Sequence, residues 1–130
     1  MELDTVSQLF ADYAWAMDSR ELGGLNSVFT EDATFAVTIA GEDAVGPLEG
    51  RKATVDFISE TTRAQTDQRR HVITNVRLHG EGAATATLTL IVIDAGQLTV
   101  KSAGVYSCGL AQEDGAARFS RMDLALDLGF

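Results

Sequence analysis

At 130 residues, 45% of them hydrophobic and only one a proline, the chain is sized for a single domain, residues 1–130, with a core of its own and no room for a second. A net charge of −9 speaks against binding a phosphate backbone, which needs clustered Lys and Arg to displace counterions, so no nucleic-acid partner is expected. The longest apolar candidate, Leu88 to Ile93, is far too short to cross a bilayer, and Met1-Glu2-Leu3-Asp4 lacks the regions of a signal peptide; the expectation is a soluble, cytoplasmic protein with no membrane partner. The lone Cys108 has no disulfide mate and no Cys or His near it at metal-ligand spacing, so it reads as a small strand residue.

Val6, Leu9, Phe10, Tyr13, Ala14 and Met17 recur at the i, i+3, i+4, i+7 spacing of one buried helix face, with Asp4 or Thr5 as the expected N-cap. Trp15 falls on the far side of that stripe, which implies that the helix touches two things, its sheet and a loop or second subunit. Asp18 sits at the helix end, where the macrodipole favours cations, so another group is expected to hold it. A short second helix is predicted from about Glu21 to Phe29, weakened by Gly23-Gly24. Thr30-Glu31-Asp32 then reads as a turn, and Ala33 to Ile39 as a strand. After Gly41-Glu42-Asp43 a short segment ends near Gly50, where Pro47 fits an edge or irregular strand. Val55, Phe57, Ile58 and Thr62 suit a third helix from Arg51 to about Arg63, followed by a polar loop from Gln65 to Gln68.

The stretch from Arg69 to His79 sets a titratable imidazole inside a strand pattern. Alternation puts His71, Ile73, Asn75 and Arg77 on one face and Val72, Thr74, Val76 and Leu78 on the other, so the apolar side is expected opposite the histidine. On this segment alone His71 is equally a rim residue or a functional one. Three long β-rich runs follow, Ala83 to Asp94, Gln97 to Leu110 and Ala117 to Leu128, separated by Ala95-Gly96 and by Gln112-Glu113-Asp114-Gly115. With the His71 strand they make a four-stranded antiparallel meander. Helices first and sheet second give an α+β domain, three N-terminal helices packed on a strongly curved sheet that encloses a pocket.

The Tyr13 to Asp18 helix end, the Phe29-Thr30-Glu31-Asp32-Ala33-Thr34-Phe35 transition, the Leu48-Glu49-Gly50-Arg51 helix start and the His71 to Leu78 strand form a spaced pattern. It resembles the SnoaL-like branch of the nuclear transport factor 2-like superfamily, over nearly the whole chain. The resemblance implies a cystatin-like α+β cone of mixed or antiparallel strands around a deep apolar pocket, commonly in a homodimer. The family includes polyketide cyclases, ketosteroid isomerase, scytalone dehydratase, a dehydrochlorinase acting on hexachlorocyclohexane, and non-catalytic members.

The nearest pattern is the aspartate and histidine of scytalone dehydratase and the dehydrochlorinase, matched here by Asp18 and His71. The resemblance implies that the two meet in the pocket, Asp18 orienting the imidazole so that His71 acts as a general base on a substrate carbon. The dehydrochlorinase's lysine and arginine are replaced by Tyr13 and Met122, and the second histidine of scytalone dehydratase has no counterpart but His79 at a turn. Tyr13 is either a donor to a substrate oxygen or a residue of the core stripe. Asp123, which shares a face of the last strand with Asp127, is a second candidate base or part of a solvated face.

Trp15, Met17, Phe29 and Phe35 are candidate pocket residues, with Phe57, Asn75 and Tyr106. Arg77 and the Arg69-Arg70 doublet are expected at the surface. The activity implied is a cofactor-independent, metal-free lyase, with dehydration first, or an isomerase or cyclase, on a small apolar ring or polyketide-like substrate. The alternative is a non-catalytic ligand-binding or dimerisation module, in which Asp18 and His71 form a satisfied polar pair.

Overall fold

Two helices lie against one side of a six-stranded sheet in a computed structural model that describes all 130 residues. Helix α1 (Leu3–Asp18) buries Val6, Leu9, Phe10, Tyr13, Ala14 and Met17, the stripe its spacing predicts, and adds Ala16. Its N-cap is Glu2, with no side-chain hydrogen bond, in place of Asp4 or Thr5. The predicted second helix is only a 3-10 turn, Leu22–Ser27. Two successive glycines, each about 1 kcal/mol poorer than alanine in a helix, leave too little to sustain an α-helix there. Helix α2 (Arg51–Ala64) follows the expected bounds and buries Thr54, Val55, Ile58, Ser59 and Thr62.

The strands are β1 (Phe29–Ile39), β2 (Val45–Glu49), β3 (Gln68–Leu78), β4 (Ala83–Asp94), β5 (Gln97–Glu113) and β6 (Ala116–Leu126). Their order is β2-β1-β6-β5-β4-β3, a curved sheet that does not close on itself. Strands β3 to β6 are the predicted meander, while β1 returns parallel to β6, so the sheet is mixed. Thr30-Glu31-Asp32 lies inside β1 and is no turn, although the β1–β6 register shifts between Phe29 and Thr34. Both Ala95-Gly96 and Asp114-Gly115 hold positive φ (49° and 77°; 52° and 76°), the backbone of tight two-residue hairpins.

The concave face carries Ala84, Ala86, Leu88 and Leu90 of β4, Tyr106 and Cys108 of β5, and Met122, Leu124 and Leu126 of β6, all buried. The convex face stays partly apolar, with Val72, Leu98, Val100 and Val105 exposed. No helix is long and apolar enough to cross a membrane.

Strict alternation fails in β3. Asn75 has φ 55°, and the β3–β4 register shifts between Thr74 and Arg77, so an extra residue bulges out of the strand. Before the bulge the odd residues Arg69, His71 and Ile73 face inward; after it the even residues Val76 and Leu78 do. The histidine therefore lies on the same side as the strand's packed apolar residues, opposite to the expectation from unbroken parity.

Candidate active site

Between the concave face and the two helices lies a small cavity of about 70 Å3 that opens at a mouth. Its wall is mainly apolar, with Met17 from α1, Phe35 from β1, Phe57 from α2 and Leu88 from β4. Phe35 and Phe57 pack ring to ring at 6.1 Å. The polar side chains on the wall include Tyr13, Tyr106, His71 and Arg69.

Asp18 is the last residue of α1, and β3 runs past it. One carboxylate oxygen, Oδ2, accepts the backbone N–H of His71 at 2.9 Å, while Oδ1 lies 2.6 Å from the ring Nδ1. This is what holds a carboxylate at a helix C-terminus. A carboxylate can only accept, so Nδ1 carries a proton, and in the neutral form of the ring Nε2 bears the lone pair. Nε2 has no hydrogen-bond partner in the protein, and the ring lines the cavity. The two side chains are only 11% and 15% exposed, which strengthens the pairing relative to open water. From its other side Asp18 is tied down through its carbonyl, which accepts the Gln68 side-chain amide at 2.9 Å.

Tyr13 and Tyr106 meet deep on the same wall, rings edge to face at 5.7 Å. The Tyr106 hydroxyl donates to that of Tyr13 at 3.4 Å, a long bond, and this leaves the Tyr13 proton for another acceptor. Burial pushes both phenols upward, so both remain neutral donors. Phe10, Phe29 and Phe119 pack around them.

Besides Asp18, which stands behind His71 and borders the groove between α1 and β3, four expected site residues are off the cavity wall. Trp15 is 64% exposed on the outer side of α1, where its indole N–H donates to Glu21 at 2.7 Å. Phe29 is completely buried in the core behind Tyr13. Asn75 is turned out by the bulge and borders a groove between α1 and β3. Asp123 is half-exposed and paired with Arg121, because the inward positions of β6 are Met122, Leu124 and Leu126. His79 is exposed and bonds Thr85.

Conversely, Arg69 was expected at the surface but is on the cavity wall, its side chain 11% exposed; Arg70 does face solvent. The signal was present in the spacing, since Arg69 is two residues before His71 on one strand. Phe130 also lines the cavity and stacks over the Arg69 guanidinium at 5.9 Å. No cluster of three or more His, Cys, Asp or Glu side chains is placed to hold a metal ion. Cys108, buried under the sheet, has its thiol pushed up to about 12 by burial.

A family profile for SnoaL-like domains matches residues 2–123. The fold is similar to that of a protein assigned as the beta subunit of an aromatic-ring-hydroxylating dioxygenase from Novosphingobium aromaticivorans, with a TM-score of 0.82 and 19% identity over 98% of this chain and 90% of that one. An NTF2-like protein with a cystatin-like fold from the same organism gives 0.72 and 24%, covering 95% and 80% of the two chains. LinA, a dehydrochlorinase, gives 0.73 and 22%, covering 95% and 84%. No curated protein sequence matches the chain significantly. At these identities the structural likenesses establish a shared fold and carry no residue roles.

Proposed function

The chain belongs to the SnoaL-like domain family, and from that membership we propose that it is a cofactor-independent lyase or isomerase/cyclase, dehydratase-like first, acting on a small, mostly apolar cyclic or polyketide-like substrate. The observation that carries this reading is the Asp18–His71 pair, with Nδ1 committed to the carboxylate and Nε2 unpaired on an apolar cavity wall. A base aimed into a pocket with its tautomer fixed is what proton abstraction from carbon requires.

In the proposed reaction, His71 Nε2 takes the proton on the carbon next to a substrate carbonyl, and the C–H electron pair becomes an enolate. Asp18 supports the positive ring that forms, and the Tyr13 hydroxyl donates to the enolate oxygen as it gains charge. The enolate then re-forms its carbonyl by expelling a β-hydroxyl, to which the imidazolium returns the proton, and water departs. Returning that proton to a distant carbon instead moves the double bond.

The test is solvent-deuterium exchange into a panel of cyclic ketones and β-hydroxyketones. The wild type should exchange or dehydrate at least one of them. His71→Ala should lose this activity, and Asp18→Asn should reduce it on the order of 10²-fold, within the range for positioned acid–base groups. Both variants should keep a cooperative melt and bind the same ligand. If the wild type exchanges nothing and both substitutions merely lower Tm, the pair is a structural feature of a non-catalytic binding module.

A further inference from the structure

Arg69 has more hydrogen-bonding capacity than the protein uses. Its guanidinium meets Asp67 along one edge, Nε to Oδ1 at 2.9 Å and Nη2 to Oδ2 at 3.3 Å. A guanidinium carries five N–H donors, so this side-on pairing consumes two. No other protein acceptor bonds the remaining three, which belong to Nη1 and the far side of Nη2, the end-on fork of the group. The Phe130 ring covers the guanidinium at 5.9 Å. What remains is an edge with two parallel donors, on a side chain only 11% exposed that lines the cavity.

Those donors are not sealed in the protein and stay accessible to a ligand, and a planar two-donor fork matches the two oxygens of a carboxylate. We propose that Arg69 recognises a carboxylate on the ligand of this cavity, so that the substrate class is an apolar ring or short polyketide-like body bearing one carboxylate. The proposal rests on the preceding reading only in taking the cavity as the ligand site.

The placement also separates recognition from chemistry. Arg69 and His71 are two residues apart on one strand face, about 6–7 Å between their backbone positions. A carboxylate at Arg69 thus leaves the ring carbons several bonds away to face Nε2. Each basic group has a carboxylate of its own behind it, Asp67 for Arg69 and Asp18 for His71. Asp67 holds the fork in place and its own carboxyl lies below the usual range because Arg69 donates to it. No acidic side chain lines the cavity wall itself.

The experiment compares matched pairs of ring compounds that differ only in a carboxylate and its primary amide, cyclohexylacetate against cyclohexylacetamide and phenylpropionate against phenylpropionamide. Affinities are read at pH 8 from backbone amide shifts of the intact chain. Wild type should bind the carboxylates at least tenfold more tightly than the amides. Arg69→Met should bring the carboxylates down to the level of the amides while the amides bind as before. Arg69→Lys, which keeps the charge without the planar fork, should retain part of the preference. The comparison reads binding and needs no turnover, so a failure of the proton-transfer reading leaves this one standing. Equal affinity of wild type for acid and amide overturns the proposal without recourse to any variant. So does a preference that survives Arg69→Met, and so does the absence of binding by every member of the panel.

Discussion

Asn75 decides which residues in the second half of β3 turn inward against the core. A φ of 55° lies in the left-handed region, where asparagine is tolerated and β-branched residues are strained. Asn75→Val should cost about 1–2 kcal/mol in urea denaturation, whereas Asn75→Gly should be close to neutral. A valine cost equal to that of the glycine variant would mean that the bulge relaxes without strain. Alternation is a reliable guide only while the strand is unbroken, and one positive-φ residue is enough to exchange the faces beyond it. That is why His71 and Asp18 were legible as a pair from the pattern of a related family, while the inward turn of Val76 and Leu78 was not. Arg69 was missed for a different reason: its charge suggested solvent, and the carboxylate that allows it to be buried is two residues away, at Asp67.

Among the elements, the end of α1 does the most to position the site. Arg20, with φ 60°, sends its guanidinium to the carbonyls of Thr62 (2.8 Å), Gln65 (2.9 Å) and Asp67 (3.0 Å), joining the end of α1 to the end of α2 and to the loop that feeds β3. A cation on the last carbonyls of α2 also complements that helix's dipole. Arg20→Met should lower stability by about 1–2 kcal/mol, less than three charged bonds in a dry interior because most of this contact is wet. Amide exchange at Gln65 to Gln68 should rise with it; unchanged exchange there would show that the loop stands without the clamp. The helices themselves were legible because their stripes follow one period, and the hairpins because Gly96 and Asp114-Gly115 are residues that tolerate positive φ. The second helix and the Thr30-Glu31-Asp32 turn failed because local propensity was weak: two glycines let the first collapse to a 3-10 turn, and sheet pairing absorbed the second.

At the scale of the whole molecule, the curved mixed sheet buries every phenol and thiol in the chain. Tyr13 and Tyr106 are its only tyrosines and Cys108 its only cysteine, and all three stand on the concave side. Burial raises each of them above its unfolded value, near 10 for the tyrosines and 9 for the cysteine, the thiol reaching about 12. For a raised group the folded state keeps its proton longer than the unfolded state does. The stabilisation is thus complete below about pH 9 and erodes as pH climbs toward 12, each group contributing a slope of at most ~1.4 kcal/mol per pH unit. Alkaline titration should therefore give no tyrosinate absorbance from the native protein. The absorbance should appear together with the loss of circular dichroism, and thiol reagents should gain access to Cys108 in the same transition. Tyrosinate forming ahead of unfolding would mean that one hydroxyl reaches solvent through the cavity, and Tyr13→Phe and Tyr106→Phe, measured separately, would identify which.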